Sequence, residues 1–112
     1  MMKNEVSTEQ DEFIKNAVGY WQCIENGNSK SANLAEKRNK KIIMHLGNFA
    51  TALLEPLLSH PSDAVRFAAA AHLMKTEVSD EAAKVLQDLA QNPLGLMALS
   101  AKAILDIHGH TC

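Results

Sequence analysis

The sequence predicts an all-helical fold of about six helices in antiparallel pairs, on three observations. Apolar residues recur at helical spacing through most of the chain, and no run alternates as a strand does. Aromatic residues make up only 4% while alanine, leucine, lysine and glutamate abound, the profile of a helical bundle or solenoid. The stretch 53–75, LLEPLLSHPSDAVRFAAAAHLMK, reads as two helices folded back across a turn. Its first limb sets Leu53, Leu54, Leu57 and Leu58 on one stripe, and its second sets Val65, Ala68, Ala69, Leu73 and Met74. Between them Pro61 lacks an amide donor and restricts His60, while Ser62 or Asp63 caps the next helix. The alanines at 68–71 let two helix backbones approach closely.

Helix one is expected from Ser7 or Thr8 to about Glu25, with Ser7 and Gln10 at capping-box spacing and Glu9, Asp11 and Glu12 suited to the positive end of the helix dipole. Its apolar face is Phe13, Ala17, Tyr20, Trp21 and Ile24. Tyr20 and Trp21 read as core packing or as anchors for a partner. Gly27 suits a positive φ in the turn at 26–29, and Asn28 or Ser29 can cap helix two, which runs from about Lys30 to Leu46. Helix two shows Leu34, Ile42, Ile43 and Leu46 on one side, with Ala35 filling in, and Lys37, Arg38, Lys40 and Lys41 on the other. That basic cluster reads as a solvated face or as a contact for an acidic partner or a phosphate.

Gly47 closes helix two, Asn48 caps helix three, and Pro56 bends helix three from within. Ser79 caps helix five, which runs to about Gln91, and helix six spans about Leu94 to Ile107 and contains Leu96, Leu99, Ala103, Ile104 and Ile107. Leu54, Leu57 and His60-Pro61 are matched 32 positions later by Leu86, Leu89 and Asn92-Pro93, so the chain contains a repeat. The organisation expected is one domain over 1–112, with an irregular capping pair at 1–48, repeats at 49–78 and 79–108, and a tail at 109–112. Leu57, Val65, Ala69, Leu73, Leu86, Leu89 and Ile104 are expected in one continuous core.

The formal net charge of −2 is too small to point to nucleic acid or an anionic membrane. No apolar run is expected to approach the length of a membrane span, and residues 1–12 have no apolar segment of a signal peptide. Cys23 and Cys112 form neither a disulfide framework nor a metal spacing, which fits a reducing cytoplasm. His45, His60 and His72 lack the spacing of a shared helical face, and HExxH, CxxC, GxSxG and glycine-rich phosphate loops are absent. The tail offers His108, His110 and Cys112, a plausible set for a soft divalent ion, but at a chain end it reads as a frayed terminus. No catalytic residue, cofactor or metal site is therefore expected.

Val65-Arg66, Ala69-Ala70 and Leu73 resemble the second helix of a HEAT-type repeat, with one repeat matched well and another loosely. The whole chain is also similar to short all-helical HEAT-like proteins of bacteria, several of which serve as immunity proteins in toxin systems. The resemblance implies a short right-handed α-solenoid and a cytoplasmic monomer that forms a heterodimer with a cognate toxin domain, most often a nuclease, and blocks it. The alternative is a regulatory or scaffolding adaptor with no toxin partner. The residues expected to touch a partner are Glu9, Asp11, Glu12, Tyr20, Trp21, Lys37, Arg38, Lys40 and Lys41.

Overall fold

The computed structural model describes residues 2–91 and 96–107, with side chains at 9–91 and 97–107. Among the described residues every regular element is helical: α1 (Met2–Glu25), α2 (Ser29–Leu46), the single turn α3 (Ala50–Leu54), α4 (Asp63–Leu73), α5 (Ser79–Ala90) and α6 (Leu96–Ile107). Five of these are full helices, and 3₁₀ turns occupy Gly47–Phe49 and Glu55–Ser59. The chain divides into two compact units, Met1–Leu53 and Leu54–Cys112, with the boundary inside the first limb of the predicted hairpin.

In the first unit α1 begins at Met2 rather than at Ser7 or Thr8, because residues 2–6 contain neither proline nor glycine to stop it. The Ser7/Gln10 pair therefore lies inside the helix and not at its start. The far end follows local chemistry closely. Gly27 takes φ 75°, its amide donates to the Ile24 carbonyl, and the Asn28 amide donates to the Cys23 carbonyl. Together these bonds form the Schellman closure that a left-handed residue after a helix permits. The Asn28 side chain then accepts from the Ser31 amide at 3.1 Å and starts α2. Gly47, at φ 55°, ends it.

α2 packs along α1. Phe13 and Ala17 are buried on α1, and Ala32, Asn39, Ile42 and Leu46 are buried on α2, where half-buried Ala35 completes a three-four spacing. This corrects the predicted face, since Leu34 lies off that stripe and is 49% exposed. Tyr20, Trp21 and Ile24 are half-buried rather than core. The polar Asn39 takes a central place because its bonds are satisfied. Its Nδ2 donates to the Phe13 carbonyl at 3.2 Å and its Oδ1 accepts from Asn16 at 2.9 Å. Asn39→Ala is expected to cost about 1–3 kcal/mol, because it empties a buried site and leaves Asn16 without its acceptor. An unchanged urea midpoint would show that this pair does not hold α1 to α2.

The predicted third helix is not continuous. Asn48 lies in a 3₁₀ turn instead of capping, α3 lasts one turn, and Pro56 stands at the start of the 3₁₀ segment instead of kinking an α-helix. A proline has no amide to complete the α pattern, so the chain tightens at that point. In the second unit His60 is extended before Pro61, and its Nδ1 accepts from the Ser62 amide at 3.0 Å. Ser62 occupies the N-cap position of α4 without a side-chain cap bond.

α4 buries Val65, Phe67, Ala69, Ala70 and Leu73 and packs against α5, which buries Ala82, Ala83, Leu86 and Leu89. Arg66 pairs with Asp63 on its own helix and approaches Asp88 of α5 at 3.7 Å. α5 is preceded by Val78, not capped by Ser79. The hydroxyl of Thr76 supplies the turn instead, donating to the Leu73 carbonyl at 2.7 Å and accepting from the Val78 amide at 3.3 Å. Leu54 and Leu57 are buried, as are Leu86 and Leu89, so the 32-residue repeat is matched by burial; Asn92 and Pro93 lie outside the described residues.

On the last helix the expectation that Ile104 lies in the core is corrected. Ala98, Ala101 and Leu105 are buried, whereas Leu99 is 63% and Ile107 78% exposed, Ala103 is exposed and Ile104 is only half-buried. α6 packs on α4 and α5, both lined with alanine at their buried positions. Small residues on every helix permit a closer approach than leucine and isoleucine would.

Candidate functional site

The exposed side of α2 gathers the residues with the strongest claim to a function. Lys30, Lys37, Arg38, Lys40 and Lys41 are all exposed, against one acidic residue on the helix, Glu36. Leu34 and Met44 stand among these cations at 49% and 81% exposure, and Phe49 follows the helix at 73%. Lys37, Arg38, Lys40 and Lys41, predicted as one patch, are thus brought together and lie open to water.

A shallow groove of about 590 Å³ runs between α1 and α2. Lys15 lines it from α1 and Arg38 from α2, with Cys23, Ser31 and Leu34 between. A Cβ at Gly19 would meet no atom within 4 Å, so this glycine leaves part of the groove wall without a side chain. A second depression of about 550 Å³, lined by Lys30, Ser31, Leu34 and Lys37, lies beside it, and the two share Leu34 and Ser31. No acidic residue lines either one.

The acidic trio on α1 fares differently. Its members stand about two turns or more inside α1, past the first turn where the dipole favours a negative charge, so the helix dipole does not account for them. Glu9 is mostly covered and faces His45 of α2 at 3.8 Å, while Asp11 and Glu12 are exposed. Tyr20 and Trp21 pack edge to face, their ring centres 5.2 Å apart. Burial, reinforced by the negative charge of Glu36, holds the Tyr20 hydroxyl above its ordinary pKa of 10.0, so the phenol is neutral at physiological pH. Both rings are half-buried, partly covered and partly open to water. Leu34, Met44 and Phe49 are more exposed still. Of these the sequence singles out only Leu34, as a core residue, because a helical stripe alone does not say which apolar side chains lie off the buried face.

Among the described residues no group of three or more histidines, cysteines or acids is placed to hold a metal ion. Cys23 is a half-buried free thiol, and His108, His110 and Cys112 lie outside the described residues. One expectation about apolar length needs correction, because Ser29–Ser59 contains a window long and apolar enough to cross a membrane by length and composition. That segment is not one helix, however. It breaks at Gly47 and turns 3₁₀ from Glu55, and its longest helical part, α2, carries five basic residues. Comparison with models of protein families, with curated proteins and with solved structures finds no match to this chain.

Proposed function

We propose that this chain is a non-catalytic protein-binding module built from HEAT-like helical pairs in a short right-handed stack, and that it is an immunity protein of a bacterial toxin system. In this reading it is a cytoplasmic monomer that neutralises a cognate toxin domain by stoichiometric occlusion in a heterodimer. One observation carries the binding role. Leu34 and Met44 are large apolar side chains held in water among the cations of α2, and Phe49, just past the helix, is exposed as well. Exposed apolar groups rimmed by charge suit a protein interface, where they become buried and the charges select the partner. The matched burial of Leu54 with Leu86 and of Leu57 with Leu89 supports the repeat reading, and the free Cys23 suits a reducing compartment.

A second reading, a regulatory or scaffolding adaptor, draws support from the sign of the α2 surface. A nuclease cleft is basic because it binds phosphates, and five cations on α2 would repel it. Under the toxin reading the exposed Asp11 and Glu12 are the side that meets a basic cleft. The test is to co-express the chain with the products of its neighbouring genes, isolate any complex, and titrate toxin activity. The expected result is a one-to-one complex with activity abolished at equimolar protein. Protection far below equimolar amounts, or no complex with any neighbour product, would sink the immunity reading and leave the adaptor.

A further inference from the structure

α2 has an unusual charge arrangement for a surface helix. Lys41 stands four residues from Lys37 and three from Arg38, at the spacing where like charges on a helix repel. Only Lys40 has an acid at such a spacing, Glu36, and among the described residues no carboxylate pairs with Lys30, Lys37, Arg38 or Lys41. Lys30 also sits in the first turn, where the dipole disfavours a cation. The same helix borders a groove with Lys15 on one wall, Arg38 on the other and Leu34 at the edge shared with the second depression. Unmet positive charge on α2 therefore borders a concave site with an apolar edge.

We propose that this groove and the adjoining face of α2 form the docking site for an acidic protein segment. Its carboxylates meet Lys15, Lys37 and Arg38, and an aliphatic or aromatic side chain between them enters the groove beside Leu34. The proposal rests on the protein-binding reading and names the chemistry of the partner. Charge complementarity supplies the sign, since a segment of alternating acids and apolar residues relieves the repulsion along α2 and covers Leu34 together. A lipid surface fits less well. A helix lying on a bilayer needs an apolar face to insert, and the apolar face of α2 is already spent on α1, through Ala32, Ile42 and Leu46. Leu34 and Met44 are ten residues apart, about 15 Å along the helix, with four cations between them. Single-stranded nucleic acid fits less well too, because no aromatic side chain lines either depression to stack a base.

The test is to pan a random peptide library displayed on phage against the full chain, and to repeat it on a variant with Leu34→Asp, Lys37→Glu and Arg38→Glu. The expected outcome is enrichment, on the unaltered chain only, of sequences with aspartate or glutamate flanking leucine, isoleucine or phenylalanine. Synthetic copies should bind more weakly as salt rises and lose at least about tenfold in affinity on the variant, about 1.4 kcal/mol. A milder pair, Lys37→Gln with Arg38→Gln, should show the same direction and guards against misfolding, which circular dichroism would reveal. Peptides without acidic enrichment, or peptides that bind the variants equally, would overturn the proposal. Retention on vesicles of phosphatidylglycerol and phosphatidylcholine, or on a single-stranded oligonucleotide, without any selected peptide would overturn it as well and assign the cations to lipid or nucleic acid. A neighbour-encoded partner that still binds the triple variant would sink this site while leaving the protein-binding reading intact.

Discussion

Replacing Phe13 by alanine is expected to destabilise the protein by about 3–5 kcal/mol, the range for removing a fully buried aromatic ring. Phe13 is 0% exposed and lies on the buried side of α1 with Ala17, the side that meets α2. The neighbouring buried positions are small or already committed. Ala17 and Ala32 cannot extend into the space, and Asn39 is held by its bonds to Asn16 and to the Phe13 carbonyl. A cavity is therefore left behind, and its cost adds to the lost transfer energy. Urea unfolding followed by circular dichroism measures the effect. A loss below about 1 kcal/mol would show that the α1–α2 contact closes over the gap or contributes little to stability.

Leu73→Ala is expected to cost about 2–5 kcal/mol in the second unit. Leu73 is 1% exposed at the end of α4, in line with Ala69 and Ala70, which are fully buried. Those alanines allow close helix approach, so the larger side chain one turn on fills space that no neighbour can reclaim. The carbonyl of Leu73, which accepts from both the amide and the hydroxyl of Thr76, is untouched by the substitution. The loss should thus come from packing and not from the helix end. A Thr76→Val control separates the two, because it removes the hydroxyl alone and should cost about 0.5–1.5 kcal/mol. A Leu73→Ala protein that melts at the unaltered temperature would remove this residue from the core.

Local chemistry was legible wherever one or two residues decide the backbone. Gly27 and Gly47 take the positive φ, Asn28 caps α2, and the break at His60-Pro61 falls where an amide is missing and the residue before it must be extended. The 32-residue displacement of leucine pairs was also legible, because both pairs serve the same buried side of their segments. Lys37, Arg38, Lys40 and Lys41 could be seen as one patch because helical spacing alone brings them to one side of α2.

Choices between competing faces were left to the tertiary structure. On α2 a polar residue, Asn39, displaced Leu34 from the interior because α1 offers it a carbonyl acceptor and Asn16 an amide donor, neither visible from spacing. On α6, where apolar residues surround most of the helix, Ala98 and Ala101 turned inward and Leu99 and Ile107 outward, since alanine-lined neighbours reward close approach over bulk. The groove by Leu34 depends on the same decision. The sequence by itself determined that the chain is helical, where most of its turns fall and where its cations cluster, because those follow from bonds and sterics within a few residues. Which apolar side chains were left exposed was decided only when helix met helix, because burial is a property of two surfaces and not of one.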